Sequence, residues 1–226
     1  MVSSELPIGI PSNFIHTFIP RFSEVQSQID SRYIQKMQQA WLFETPPRLP
    51  TGMVYEPAFI TVDEEAGLLE EIARLPLTEA KYKQYIAKRR IKSYGASYDF
   101  SSNELLPAGP IPPFLDFLRE RIANWTQVPA PDFSHALIAQ YEIGTQLGWH
   151  RDVPEFGIVV GISLGGPCRM RFRRYPPKKG KNIETLSLDL EPRSAYVMRR
   201  EARWGWQHSI PPTKSLRYSI TFRTRR

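Results

Sequence analysis

From Phe133 to the C-terminus the chain is a succession of short runs rich in β-branched and aromatic residues: HALIAQYEIG, GIVVGISLG, CRMRFRRY, ETLSLDL, SAYVMRR and RYSITFRT. Gly and Pro signals separate them, and each run is too short for a packed helix but long enough for a strand. Strands of this kind in close succession need one another's edges and one shared core, which argues for a sandwich or barrel. Two helical stretches precede them, so the expected fold class is α+β and mainly β, with supporting helices ahead of the strands.

The first of these helices follows a short strand at MVYE and a turn at Glu56-Pro57. Asp63 is its expected N-cap, Pro76 ends it, and Leu68, Leu69, Ile72 and Leu75 form the apolar stripe. The second, in PFLDFLRERIANWT, is expected to turn Phe114, Phe117, Leu118 and Ile122 inward. Upstream, SEVQSQIDSRYIQKMQQAWL (23–42) has near-helical apolar spacing and stops in ETPPRLP. The expected organisation is an N-terminal extension with one helix over 1–50, followed by a main domain over 51–226.

Cys168 is the only cysteine in 226 residues, which excludes an intrachain disulfide, a zinc ribbon and a CxxC redox pair. No run approaches the roughly 18 apolar residues of a membrane span, and the N-terminus lacks a basic, then apolar, signal pattern. No membrane association and a cytoplasmic location are therefore expected. The formal charge of +7 favours polyanionic partners. Its densest contributions are Lys88, Arg89, Arg90 and Lys92, and the stretch RMRFRRYPPKKGK (169–181), where Arg169, Arg171 and Arg173 alternate with Met170 and Phe172. As a strand, that stretch has one basic face and one buried face.

Chemistry enters at GWHRDVPEFG. On a strand, His150 and Asp152 share a face and can touch one ion, or they can form a buried histidine–carboxylate pair. His208, in ARWGWQHSIPP, adds a second imidazole. Two histidines and one carboxylate make a facial triad whose open positions suit non-haem Fe(II) oxygenases. In RYSITFR, Arg217, Ser219, Thr221 and Arg223 fall on one face and Tyr218, Ile220 and Phe222 on the other. The two arginines either clamp a carboxylate or edge the sheet in solvent.

The motifs LIAQYEIGTQLGWHRD, MRREARWGWQHSIP and LRYSITFR, in this order, resemble those of the AlkB family of Fe(II)- and 2-oxoglutarate-dependent dioxygenases, over roughly Thr51 to Arg226. The resemblance implies a double-stranded β-helix, or jelly roll. It implies His150, Asp152 and His208 as iron ligands, Arg217 on the distal carboxylate of 2-oxoglutarate, Arg223 at its keto-acid end, and Tyr141 hydrogen-bonded to the cosubstrate. It also implies that 2-oxoglutarate and O2 are consumed to succinate and CO2 while an N-alkyl carbon of a nucleobase is hydroxylated and lost as formaldehyde. The implied partner is nucleic acid carrying alkylated bases.

Two departures stand out. The family's NxY pair is replaced by Ala139-Gln140-Tyr141, and Val153-Pro154 follows Asp152 where repair members often carry a basic residue and a second aspartate. The same chemistry also serves a hydroxylase of a protein side chain or small molecule, and the fold alone can persist in a binding protein. Trp149, Trp204, Trp206 and Phe156 flank the ligands in sequence and either supply a dry wall or pack in the core. Arg203 is expected to brace the site or reach the substrate.

Overall fold

The computed structural model describes residues 48–82, 85–99, 101–102, 104–177 and 184–226. The helix expected at 23–42 lies outside these residues, as does nearly all of the expected extension over 1–50. The described chain runs β1 (Met53–Glu56), α1 (Val62–Ala73), β2 (Thr78–Tyr82), β3 (Tyr85–Tyr94), β4 (Ala96–Asp99), β5 (Glu104–Pro107), α2 (Asp116–Thr126) and β6 (His135–Tyr141). It continues with β7 (Leu147–His150), β8 (Phe156–Gly165), β9 (Cys168–Arg174), β10 (Thr185–Leu190), β11 (Ala195–Met198), α3 (Glu201–Trp204), β12 (Trp206–Ile210) and β13 (Arg217–Arg225).

Period-two alternation sorts these strands into two antiparallel sheets. The major sheet has the order β1-β11-β8-β13-β6-β3-β2 and the minor sheet β10-β9-β12-β7, with β4-β5 as a separate hairpin. On β6, β8 and β13, Ile138, Val160, Ile162, Leu164, Ile220 and Phe222 face Leu68 and Ile72 of α1 and Leu118 and Ile122 of α2 in one apolar core. The opposite face of those strands meets the minor sheet. There, Val159, Met170, Phe172, Leu188, Tyr196 and Trp206 form one cluster, and Ala139, Tyr141 and Ile210 a smaller one. This arrangement is a double-stranded β-helix backed by helices, as the sequence leads one to expect.

Local departures have simple causes. α1 begins two residues early: Thr61 is its N-cap, accepting from Glu64 N–H at 3.1 Å while Glu64 accepts from Thr61 N–H at 2.8 Å. Arg121 of α2 also grips Glu64, at 2.8 and 2.5 Å, and this hydrogen-bonded pairing holds the Glu64 carboxyl down at about 2. The competing candidate Asp63 is simply the second helical residue. In α2 a 3₁₀ turn at Pro113–Leu115 shifts the phase, so Leu115 is buried and Phe117 faces outward beneath the Arg121 guanidinium. No described helix is long and apolar enough to cross a membrane.

Candidate active site

Between the two sheets lies a cavity of about 450 Å³, counting its open mouth. β13 contributes Arg217, Ser219, Thr221 and Arg223, in the alternation read from RYSITFR, while Tyr218, Ile220 and Phe222 turn to the other face. β6 adds Leu137, Ala139 and Tyr141, and the minor sheet adds His150 from the end of β7 and His208 from β12. Asp152 follows two residues after β7. The pairing of β12 with β7 sets His208 directly opposite His150, their ring centroids 4.2 Å apart. All six residues expected at the site from sequence, His150, Asp152, His208, Tyr141, Arg217 and Arg223, line this one cavity.

Burial keeps both histidines neutral. His208 is pushed down to about 3, by desolvation first and by His150 next, and His150 is lowered chiefly by its own burial. His150 Nδ1 lies 2.9 Å from the Gly148 carbonyl, which can only accept. Nδ1 therefore carries the proton and Nε2 keeps its lone pair. Burial opposes the Asp152 charge, but Arg223 above all, then the histidines and Arg203, hold its carboxyl far below the usual carboxylate range. His208 Nε2 and Asp152 Oδ2 lie 3.7 Å apart. With a neutral imidazole this is not an ion pair. Two donors each about 2.1 Å from one ion can be up to about 4.2 Å apart. Among the described residues no His, Cys, Asp or Glu group is drawn up into a complete three-donor shell. The donor set itself, two neutral imidazoles and one carboxylate, is the kind that takes Fe(II) with positions left open.

Arg217 is one of the largest fully buried side chains, 1% exposed. Its Nε donates to Ser163 Oγ at 3.2 Å and its guanidinium lies 5.0 Å from the Tyr141 ring centroid, yet Nη1 is sealed from solvent without a partner. A desolvated cation with an unmet donor fits a carboxylate ligand, and so fits the cosubstrate. Arg223 is engaged differently. Its Nε and Nη2 reach Asp152 Oδ1 at 2.9 and 2.8 Å, and Nη1 meets His135 Nδ1 at 3.3 Å, so it acts on the site through Asp152.

Several functional placements were not legible in the sequence. His135, in register with Arg223, packs on Phe156 at 4.5 Å and is lowered to about 3, by burial first and then by Arg223. Tyr196 lies flat over Gly161, where any Cβ would meet its ring at 2.4 Å. Arg203, by contrast, takes the first of its two expected roles: it is 3% exposed and donates to the carbonyls of Gly157, Asp152, Val153 and Phe156 at 2.7–3.3 Å. It braces the loop that carries Asp152.

The aromatic wall is a correction. None of Trp149, Trp204, Trp206 and Phe156 lines the cavity: turning His150 inward turns Trp149 out, and Trp206, on the His208 face, is taken up in the apolar cluster with Met170 and Phe172. Trp149 instead packs with Arg171 and Arg173, whose guanidinium carbons lie 5.2 and 4.6 Å from its ring centroid. The apolar lining is Leu137, Ala139, Leu147, Val159, Met170 and Ile210.

A pH test follows from His135. Because its folded value is depressed, the unfolded chain takes up a proton below about 6.5 that the folded chain refuses. This contribution is complete above pH 6.5 and is lost as pH falls toward 3, at up to about 1.4 kcal/mol per pH unit. Urea denaturation at pH 5 and pH 7 should show a smaller gap for His135→Leu than for the parent, by roughly 2 kcal/mol. An unchanged gap would refute the buried neutral state.

The profile of the 2OG-Fe(II) oxygenase superfamily matches residues 52–223. The chain therefore belongs to that superfamily: it is a dioxygenase that uses Fe(II), 2-oxoglutarate and O2. Within it the chain is AlkB-like. It is 29% identical over 184 residues, 72% of its length and 51% of the relative's, to the Alkylated DNA repair protein ALKBH8 homolog of Arabidopsis thaliana. It is 28% identical to the tRNA (carboxymethyluridine(34)-5-O)-methyltransferase alkbh8 of Xenopus tropicalis, over 74% of this chain and 26% of that protein. It thus spans about half of the first relative and a quarter of the second. The solved structure of OsALKBH1 shares the fold, with a TM-score of 0.60 at 16% identity, covering 78% of this chain and 100% of that one.

Proposed function

We propose that the enzyme oxidatively demethylates N-alkylated bases in DNA or RNA, with His150, Asp152 and His208 holding iron and Arg217 and Tyr141 holding 2-oxoglutarate. The observation that carries this reading is the convergence of a two-histidine, one-carboxylate donor set and the unmet Arg217 guanidinium in one cavity. Iron, 2-oxoglutarate and O2 together supply the oxidising power that hydroxylates the alkyl carbon, with succinate and CO2 as coproducts. The chain's part is positional. Gly148 fixes the His150 tautomer, Arg223 and Arg203 hold Asp152 and its loop, and the apolar lining keeps bulk water from the oxidant.

A nucleic acid is favoured as substrate by the formal charge of +7 and by the names of the AlkB-type relatives. The outer face of the minor sheet adds a basic surface. Arg169 is paired with Asp189, but Arg171 and Arg173 donate only to Ser209 and Gln207 and have no carboxylate partner among the described residues. A target base must leave its stack, or already be single-stranded, to reach the cavity. A hydroxylase of a protein side chain or small molecule is the second reading, motivated by Val153-Pro154 in the place of a base-contacting acidic residue.

Mass spectrometry of mixed methylated DNA and RNA oligonucleotides, before and after aerobic incubation with Fe(II) and 2-oxoglutarate, separates the two. Loss of a methylene mass from particular lesions, matched by formaldehyde and succinate, is expected. Oxygen incorporation into a peptide or small molecule, with every oligonucleotide unchanged, would favour the second reading.

A further inference from the structure

The basic knot at 88–92 does not act as one patch. Strand alternation along β3 divides it: Arg90, in register with Gln140, donates to the Leu77 carbonyl at 2.8 Å, whereas Arg89 lines the cavity with His150 and Asp152. Arg89 has no ion pair or hydrogen bond among the described residues, and its Nε is sealed from solvent with no partner. Five buried side-chain atoms in the described residues lack partners, and two of them, Arg89 Nε and Arg217 Nη1, belong to arginines of this cavity.

Charge accounting makes the surplus specific. The cavity holds three guanidinium groups, of Arg89, Arg217 and Arg223, against the single carboxylate of Asp152. Asp152 is taken by Arg223, and Arg217 lies deep beside Ser163. Fe(II) and 2-oxoglutarate bring equal and opposite charge, so binding both leaves the surplus in place. β6 separates β3 from β13, which sets Arg89 and Arg217 about 10 Å apart at the level of the backbone. Arg89, unlike Arg217, is partly exposed and meets whatever enters from solvent.

We propose that Arg89 anchors an anionic oxygen of the substrate, a phosphate or a carboxylate, beside His150, and so selects substrates that carry one. This rests on the reading of the cavity as the catalytic site for a nucleotide. A planar, fixed guanidinium fork with unmet donors pairs with such an oxygen pair bidentately.

The test is calorimetric titration of the anaerobic Mn(II)–2-oxoglutarate complex with matched pairs: N1-methyladenosine against its 5′-monophosphate, and 5-methyluridine against 5-carboxymethyluridine. The first pair reports a phosphate anchor and the second a carboxylate anchor. The parent is expected to prefer the anionic member of one pair at least tenfold. Arg89→Gln should abolish that preference while leaving the neutral member and 2-oxoglutarate within about twofold, and Arg89→Lys should restore part of it. No preference in the parent, or a loss in Arg89→Gln that falls on 2-oxoglutarate, would overturn the proposal. Inorganic phosphate and acetate serve as base-free probes. If no nucleoside binds but either anion binds in an Arg89-dependent way, the anion site stands and the nucleobase reading falls.

Discussion

Arg217→Met is expected to abolish cosubstrate binding without unfolding the protein. The parent guanidinium is 1% exposed, has Ser163 and the Tyr141 ring as its contacts among the described residues, and leaves Nη1 unmet. In the ligand-free protein, replacing it by an apolar side chain of similar length removes a desolvated charge, so stability should stay within about 1 kcal/mol of the parent or rise. Once 2-oxoglutarate is present the sign reverses. Losing one partner of a buried charge pair costs about 3–5 kcal/mol, which is on the order of a hundredfold to several thousandfold in affinity. The measurement is the melting temperature with and without 2-oxoglutarate under anaerobic Mn(II). The parent should gain stability with ligand concentration and the variant should not. Arg217→Lys, which keeps the charge but not the fork, should fall between them. A variant that still gains stability from 2-oxoglutarate would remove Arg217 from the cosubstrate site.

The sequence was most informative where one strand carries both a core and a site. β13 alternates polar and apolar residues from Arg217 to Arg223, so its two faces could be read from period two, while the choice between a ligand clamp and a solvated edge for the two arginines was settled only by the fold. His150 and His208 could be paired as types, but their alignment across β7 and β12 is a matter of register, which no local pattern encodes. β2 and β3 went unrecognised because Lys and Arg crowd the stretch and mask its alternation, and that is why Arg89 was grouped with its basic neighbours rather than with the site. His135 sits 15 residues before His150 and carries no motif. Only the pairing of β6 with β13 brings it to Arg223. Trp149 misled because it adjoins His150 on a strand and so faces the other way, whereas Trp206 shares the His208 face and packs in the apolar cluster with Phe172 and Met170.

The Asp152–Arg223 pair should show the strongest coupling in the molecule. Their side chains are 8% and 11% exposed, and Arg223 contacts Oδ1 through two nitrogens. Arg223→Met leaves a buried carboxylate without its main countercharge, and the metal-free protein should lose about 3–5 kcal/mol. Asp152 has a depressed carboxyl in the fold, so its stabilising contribution is present above the unfolded value near 3.9 and is lost as pH falls below it. Without Arg223 the carboxyl rises, and the loss should begin at higher pH. Asp152→Ala should eliminate turnover and also destabilise the fold, now because Arg223 is the orphan. The double variant removes both charges, so its stability should return toward the parent while turnover stays absent. Urea denaturation of the four proteins at pH 7 gives the coupling directly, and a value near zero would show that Arg223 does not hold Asp152. The two readouts diverge because the pair stabilises by mutual compensation, whereas the proposed chemistry needs the Asp152 carboxylate itself.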